Sequence, residues 1–355
     1  MIAPDFFKPV QKLLLSIGSF VARFPKKRYI ISLDSFERRS PVVSDSIKRE
    51  KLLLNGESIK ISLNKSFPKI SNCWSIMPIY FRLFEKVSIN SRSSVIFFQN
   101  SNNYCLEHSW GWGKRSTNHI FKFRKAAYEF INSEKPLYIL SGYGYHAIVE
   151  DIPLILLLKN EGFNFDIVIE KNNFWAKKIL NEIFSDKVRI FECNDDTWIG
   201  SNQLISTSKS LFGEFIHTKL VTSLKNIFPK PPESSSKIKK VFISRADSNK
   251  RFNQHEPLLH KHFIAKGYSI IELSNLSVRE QIEIFQNITH VAGFHGAGFV
   301  NLVWSLKKVK VLEIFSNQHY NSCYFSLCHA MGHEYANIDI EEFIKTNCKH
   351  LLSNK

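Results

Sequence analysis

Four short stretches carry side chains whose types and spacing can do chemistry. In "HVAGFHGAGFVNLVW", residues 290–304, an apolar run stops at His295 and restarts after Gly296-Ala297-Gly298, and three of the chain's 14 glycines fall here. The first run reads as a strand and the second as a helix. A strand-to-helix turn collects free backbone N–H groups and the positive end of the helix dipole. Glycine lets another group approach that backbone. Such a turn is an anion site, most naturally for a diphosphate. The spacing is G-x-x-G-x-G, neither the dinucleotide fingerprint nor a Walker loop. The same small residues would also serve close packing of helix on strand.

In "FISRADSNKRFNQ", residues 242–254, a buried strand ends at Ser244 and Arg245 follows, with Arg251 six residues later. Residues at the C-terminal end of a strand in an open parallel sheet face the ligand crevice. Two arginines there can clamp a diphosphate through paired hydrogen bonds, which lysine does less well; a solvated basic loop would look the same. In "GYHAIVEDIPLILLL", residues 144–158, His146 and Glu150 are i and i+4 and share one helix face. A histidine and a carboxylate at a crevice can act as general base and orienting group. Asp151, the next residue, is the alternative base on the same helix, and helix capping is the non-catalytic reading of the segment. Finally Glu313, in the apolar run "KVKVLEIF", stands where dinucleotide folds hold ribose hydroxyls.

These residues need elements to position them. Residues 1–90 read as an N-terminal extension of short strands and turns. From 91 the pattern changes. "SSVIFFQN", "PLYILSGYG", "FDIVIE" and "KVRIFEC" are strands; "STNHIFKFRKAAYEFINSEK" (116–135), "YHAIVEDIPLILLLKNEG" (145–162) and "NFWAKKILNEIFS" (173–185) are helices. After the proline- and serine-rich linker at 229–237 the alternation resumes. "KVFISR", "YSIIEL", "THVAG" and "KVKVLEIF" are strands. "NQHEPLLHKHFIAKG", "SVREQIEIFQN" and "GAGFVNLVWSL" are helices, the second with Ser277 and Glu280 in capping-box spacing. Strands alternating with helices at this spacing predict parallel sheets. The expected fold is α/β, with two Rossmann-like domains, 91–228 and 238–345, facing across a crevice that takes the ligand.

Length and composition bound the function. The chain has 355 residues, 44% of them hydrophobic, enough for two domains with sizeable cores. Its net charge of +16 favours acidic partners: nucleic acid, anionic lipid headgroups or phosphorylated substrates. A coding bias toward lysine would give the same excess. No zinc-finger spacing, RNA-recognition strand or basic heptad is present, so no nucleic-acid partner is expected. The 6 cysteines form no CxxC pair and are expected to be reduced thiols in a cytosol. "VQKLLLSIGSFVARF", 10–24, is interrupted by Lys12 and Arg23 and too short to span a bilayer.

Taken together and in order, the motifs resemble glycosyltransferase family 61. In that family a strand ends in Ser-Arg, and a Leu-Ser-…-Gln helix leads to another strand. An HGAG turn follows, with an Asn three residues beyond it, then a strand ending in Glu. The matching positions are Ser244, Arg245, Leu276, Ser277, Gln281, His295 to Gly298, Asn301 and Glu313, with a Tyr-His-…-acid segment at Tyr145, His146 and Glu150. Phe299 stands where the family usually has Leu, and Phe294 where it often has Pro. The resemblance spans roughly 140–335, and residues 1–90 match nothing. It implies a GT-B fold and inverting transfer of a sugar from a nucleotide-sugar donor, with no metal and no cofactor. No DxD motif occurs; Asp195-Asp196 is the nearest.

Within that resemblance the expected roles divide. Glu150 and His146 are catalytic. Arg245, Arg251, His295, Gly296, Ala297 and Gly298 bind the donor diphosphate, and Glu313 the nucleoside. The expected acceptor is a glycan or lipid-linked glycan in surface polysaccharide biosynthesis. The expected location is cytoplasmic, with peripheral contact to an anionic membrane surface on its inner face. A non-catalytic GT-B-like sugar- or nucleotide-binding protein is the alternative. An intact base at His146 and Glu150 would favour the enzyme.

Overall fold

The strands of the chain are short runs of β-branched and aromatic residues cut off by turns, and most are buried on both faces, as parallel sheets require. The computed structural model describes residues 29–30, 47–60, 73–76, 79–98, 103–105, 128–184, 187–208, 216–231, 238–246, 253–316 and 321–348. These fall into two compact units, one ending at 208 and the other starting at 216.

The first unit contains a sheet of six strands: β1 (Ile47–Leu54), β2 (Ile79–Phe84), β3 (Leu137–Leu140), β4 (Asp166–Glu170), β5 (Ile190–Cys193) and β6 (Leu204–Thr207). Their order is β5-β4-β3-β6-β2-β1, parallel from β5 to β6, with β2 and β1 added antiparallel. Part of the expected N-terminal extension therefore belongs to this sheet. Alternation along β3 divides its side chains. Leu137 and Ile139 join a core with Val168, Leu204 and, from a second sheet, Ile89, Ile96, Phe98 and Ile199. Tyr138 meets Phe165 at 5.9 Å between ring centroids. Helix α1 (Ile152–Asn160) ends at Gly162, whose φ of +82° is the left-handed conformation glycine adopts without strain. Helix α2 (Phe174–Phe184) follows β4.

The second unit is a sheet of β7 (Lys240–Ile243), β8 (Ser269–Ile271), β9 (His290–Phe294), β10 (Lys310–Phe315) and β11 (Glu334–Asp339). All pairs are parallel and the order is β8-β7-β9-β10-β11. This is a doubly wound arrangement whose winding reverses between β7 and β9. Helices α3 (Glu256–Ala265), α4 (Val278–Asn287), α5 (Cys323–Met331) and α6 (Ile340–Asn347) complete it. Leu259 and Phe263 of α3 and Phe343 of α6 pack on Phe242, Ala292 and Ile314 of the sheet. Each fully buried phenylalanine contributes about 1.5–3 kcal/mol. Helix α4 starts with the expected capping box: Ser277 Oγ accepts from Glu280 N–H at 3.2 Å, and Ser277 N–H donates to Glu280 Oε2 at 2.7 Å.

Three segments differ from the sequence reading. Tyr128–Phe130, the described end of the helix expected at 116–135, is a strand paired with Trp198–Gly200. Gly200 leaves room there for the Tyr128 ring, whose hydroxyl takes the place a side chain would need, and that pairing overrides helix propensity. The helix after the glycine turn, Ala297–Trp304, is a 3₁₀ helix. Finally, residues 216–228, placed before the linker, and 229–231, placed in it, pack in the second unit. Gln286 Nε2 donates to the carbonyls of Phe228 and Pro229, and Phe228 meets Trp304 edge-on at 5.3 Å. Linker residues 232–237 lie outside the described residues.

Candidate functional site

Ligands of doubly wound sheets bind beyond the C-terminal ends of the strands where the winding reverses. In the second unit that point is flanked by the ends of β7 and β9, which carry Ser244-Arg245 and His295-Gly296-Ala297-Gly298. A cavity of about 320 Å³ opens there, lined by Ser244, Arg245, Gly296, Ala297 and Gly298 over Ile243, Leu273 and Phe294. The arginine, the glycine turn and the reversal of winding thus coincide. Arg251 and the residues at 247–252 lie outside the described residues.

Arg245 reaches from one strand end to the other. Its Nη1 donates to the carbonyl of His295 at 2.6 Å. A methyl group placed on Gly296 would lie 2.9 Å from Arg245 Nη1 and 3.1 Å from its Cζ, so the guanidinium occupies the space a side chain would take. Gly296 itself has an extended backbone (φ 173°) open to any residue; what excludes a side chain is the arginine. Gly298 is tight for another reason: a methyl there would lie 2.7 Å from Leu273 Cδ1 and 3.0 Å from Ile243 Cγ2. One glycine admits the arginine and the other lets the 3₁₀ helix close on the sheet.

His295 is fixed from behind. Its Nδ1 lies 2.6 Å from Oε1 of Glu313, and its ring stacks on Phe315 at 5.4 Å. Tyr335 donates its hydroxyl to Oε2 of Glu313. Burial pushes the Glu313 carboxyl above its ordinary value, opposed by the hydrogen bond and charge of His295 and the hydrogen bond from Tyr335. Burial and the adjacent Glu313 push the Tyr335 phenol up as well. An ionised carboxylate accepting from Nδ1–H fixes the tautomer and leaves Nε2 as the second ring nitrogen. Glu313 was expected at the ribose. It is 0% exposed, on an interior strand between β9 and β11, with its two oxygens on His295 and Tyr335.

Asn301 is part of the scaffold. Its Nδ2 donates to Gln281 Oε1 at 3.1 Å and to the Gly298 carbonyl at 3.2 Å, and its Oδ1 accepts from Trp304 Nε1 at 3.1 Å. Gln281 in turn donates to the carbonyls of Leu273 and Leu276. This network ties the glycine turn to α4 and to the cavity wall at Leu273.

In the first unit, β3 runs through Ser141 and Gly142 into the segment carrying His146, Glu150 and Asp151. Ala147–Asp151 form a wide π turn, with Ile152 N–H donating to Ala147 O. Pro153 follows; it lacks an N–H, and its ring clashes with the i−4 carbonyl of a regular helix, which the wider turn relieves. His146 Nδ1 lies 3.1 Å from Glu150 Oε1, so the expected pair is in contact. Glu150 is 8% exposed. Asp151 is 0% exposed, accepts Gly142 N–H at 2.6 Å on Oδ2, and faces Tyr138 OH at 3.4 Å on Oδ1. Asp151 holds the turn that leads to His146.

Beside this turn stands a cluster the sequence did not announce. Arg92 donates from Nη2 (2.8 Å) and Nε (3.2 Å) to Oε2 of the buried Glu170 at the end of β4. Tyr143 donates to the same oxygen, while Ser91 Oγ and the Asp196 N–H donate to Oε1. Asp195 lies 3.4 Å from Arg92, so the Asp195-Asp196 pair serves this network. In the second unit Glu256 and Tyr335 were likewise missed. Carboxylates closing a helix start or ending a strand are common, and only the folded chain brings each to its partner. Among the described residues no group of His, Cys, Asp and Glu could hold a metal ion.

Residues 144–312 match the family model Glycosyltransferase 61, which supports the resemblance to that family and, with it, transfer of a sugar from a donor to an acceptor. No curated protein matches the chain. The match opens at the turn before His146 and takes in Glu150, Arg245 and the glycine turn. Among the described residues no helix is long and apolar enough to cross a membrane.

Proposed function

We propose that the chain is an inverting glycosyltransferase of GT-B architecture. It takes a sugar from a nucleotide-sugar donor without a metal and passes it to a glycan or lipid-linked glycan in surface polysaccharide biosynthesis, working at the cytoplasmic face of a membrane. The observation that carries the reading is Arg245 lying on Gly296 where the winding of the second sheet reverses. That position suits a diphosphate, and a guanidinium with adjacent main-chain N–H groups neutralises the departing nucleotide as its charge grows. Arg251 is the second arginine of the clamp. His295, held by Glu313, is the third group at the turn.

The first unit supplies the acceptor side. As the acceptor hydroxyl oxygen forms its bond to the anomeric carbon, the bond from that carbon to the diphosphate oxygen breaks, and the electron pair leaves with the nucleoside diphosphate. Glu150 takes the hydroxyl proton, with His146 orienting it. The +16 net charge suits anionic membrane surfaces and anionic donors alike.

The test is a thermal-shift screen against UDP-, GDP- and CMP-sugars with EDTA present, followed by assay of the stabilising donor for transfer. A ligand that binds only the folded state raises its apparent stability. Stabilisation by one donor class with EDTA, and transfer with inversion at the anomeric carbon, is the expected result. Stabilisation without transfer to any glycan acceptor would make the chain a binding protein.

A further inference from the structure

Behind Arg245 sits a buried carboxylate that no motif announces. Glu256 is the first residue of α3 and is 3% exposed. Its Oε1 accepts the backbone N–H of Arg245 at 2.6 Å and the hydroxyl of Ser244 at 2.9 Å, with His260 Nε2 at 3.3 Å. Ser244 Oγ in turn accepts the N–H of Ala246 at 3.1 Å. Oε2 of Glu256 is buried without a hydrogen-bond partner.

Its place in the first turn of α3 suits a carboxylate, but does not account for its deep burial. A buried carboxylate with one oxygen unpaired is less favourable than an apolar side chain of similar volume. What the carboxylate does is directional. Arg245 is the second residue past β7, where sheet pairing no longer fixes the main chain, and Glu256 holds its N–H. From that anchor the side chain crosses to the His295 carbonyl and lies on Gly296. The chain of contacts therefore runs from the start of α3, through the main chain of Arg245, to the glycine turn.

We infer that Glu256 is the positioning residue of the donor site: its carboxylate fixes the main chain of Arg245 so that the guanidinium spans the two strand ends. The inference rests on the reading of Arg245 as a diphosphate ligand, and a double-mutant cycle separates the two. Affinities for UDP, GDP, ADP and CDP are measured by titration calorimetry on the full chain, as wild type, Glu256→Ala, Arg245→Ala and the double variant, each first shown to be folded by circular dichroism. Removing a charge-assisted hydrogen bond that holds the ligand's partner is expected to weaken the tightest binder about 10-fold in the wild-type background and less than about 2-fold in the Arg245→Ala background. Glu256→Gln keeps an acceptor oxygen at the same reach and is expected to bind within about 3-fold of wild type.

Equal losses in both backgrounds, or full affinity in Glu256→Ala where Arg245→Ala has lost it, would overturn the inference. Full affinity in Arg245→Ala would overturn the donor-site reading itself, and the inference with it. If Glu256→Ala does not fold, Glu256→Asp replaces it, since its carboxylate is one methylene too short to reach the Arg245 N–H. The same losses and the same reversals then apply.

Discussion

The carbonyl oxygen of His295 accepts a hydrogen bond from Nη1 of Arg245 at 2.6 Å, which joins the end of β7 to the end of β9 across the point where the sheet changes its winding. Neither residue is near the other in the chain. Their contact makes one surface of a strand-end arginine and a glycine turn, and the first two predictions test that surface.

Gly296→Ala should weaken donor binding while leaving the fold in place. The added methyl meets Arg245 Nη1 at 2.9 Å, and the flexible arginine can swing away, so the backbone need not move. Losing one charge-assisted contact to the donor is worth about 1.5–3 kcal/mol, or roughly 10–100-fold in affinity. Gly298→Ala should behave in the opposite sense. Its methyl meets Leu273 and Ile243 where the 3₁₀ helix closes on the sheet at the cavity wall, and overpacking there costs about 1–3 kcal/mol of stability. Melting temperature and nucleotide affinity, measured on both variants, separate the two effects. Equal loss of stability in both would remove the distinction.

Arg245→Lys should be a poor enzyme. A lysine ammonium is a point charge and cannot at once donate to the His295 carbonyl and present a fork to a phosphate. The expected cost is about 2–4 kcal/mol in the barrier, read as turnover at saturating donor. Wild-type turnover in the lysine variant would count against the clamp.

Glu150→Gln and Asp151→Asn should fail differently. Glu150 is the proposed base, and its amide should lower turnover by about 10²-fold or more with fold and donor affinity retained. Asp151 holds Gly142 N–H at 2.6 Å and faces Tyr138, both buried. Its amide should cost about 1–3 kcal/mol of stability, because an NH₂ group would be placed against one of those partners. Turnover per folded molecule and urea unfolding together decide. Normal turnover in Glu150→Gln would move the base elsewhere.

His333 should give the second unit an acid-sensitive step. Its Nδ1 accepts Val309 N–H at 3.3 Å and its Nε2 faces the Leu302 carbonyl at 3.3 Å, which only the neutral ring satisfies. Burial lowers its pKa; the bond to Leu302 opposes this and the charge of Lys225 adds to it. A histidine with a depressed folded pKa contributes stability that is present above its unfolded value, about 6.5, and lost as pH falls toward the folded one. Wild type should therefore lose melting temperature between pH 7.5 and 5.5 faster than His333→Gln. Parallel curves for the two proteins would show that the ring takes up its proton alike in the folded and unfolded chain.

Much of this site could be read in the sequence because it lies at strand ends. "KVFISR" and "THVAGFHGAG" each display an apolar run and its stop, and a parallel sheet brings such stops to one edge. The His146–Glu150 contact follows from helical spacing alone. Partnerships across the fold were not legible. Glu256 reads as a helix-start acid, Arg92 and Glu170 are separated by an unremarkable stretch of chain, and Tyr335 sits in a strand the alternation did not flag. The strand at Tyr128–Phe130 was hidden because its pairing depends on the missing side chain of Gly200.

The cavity of the second sheet lies where the connections leaving β7 and β9 part. Helices α3 and α6 share the Phe242 core, while α4, the 3₁₀ helix and α5 pack among themselves. The connections leaving β7 and β9 thus belong to different helical layers and are tied together near the cavity by one arginine. Each connection is anchored in buried strand at one end. On the proposed donor-site reading, a chimera that takes the segment between β7 and α3 from a protein of glycosyltransferase family 61 should fold as this chain folds, and accept that protein's donor.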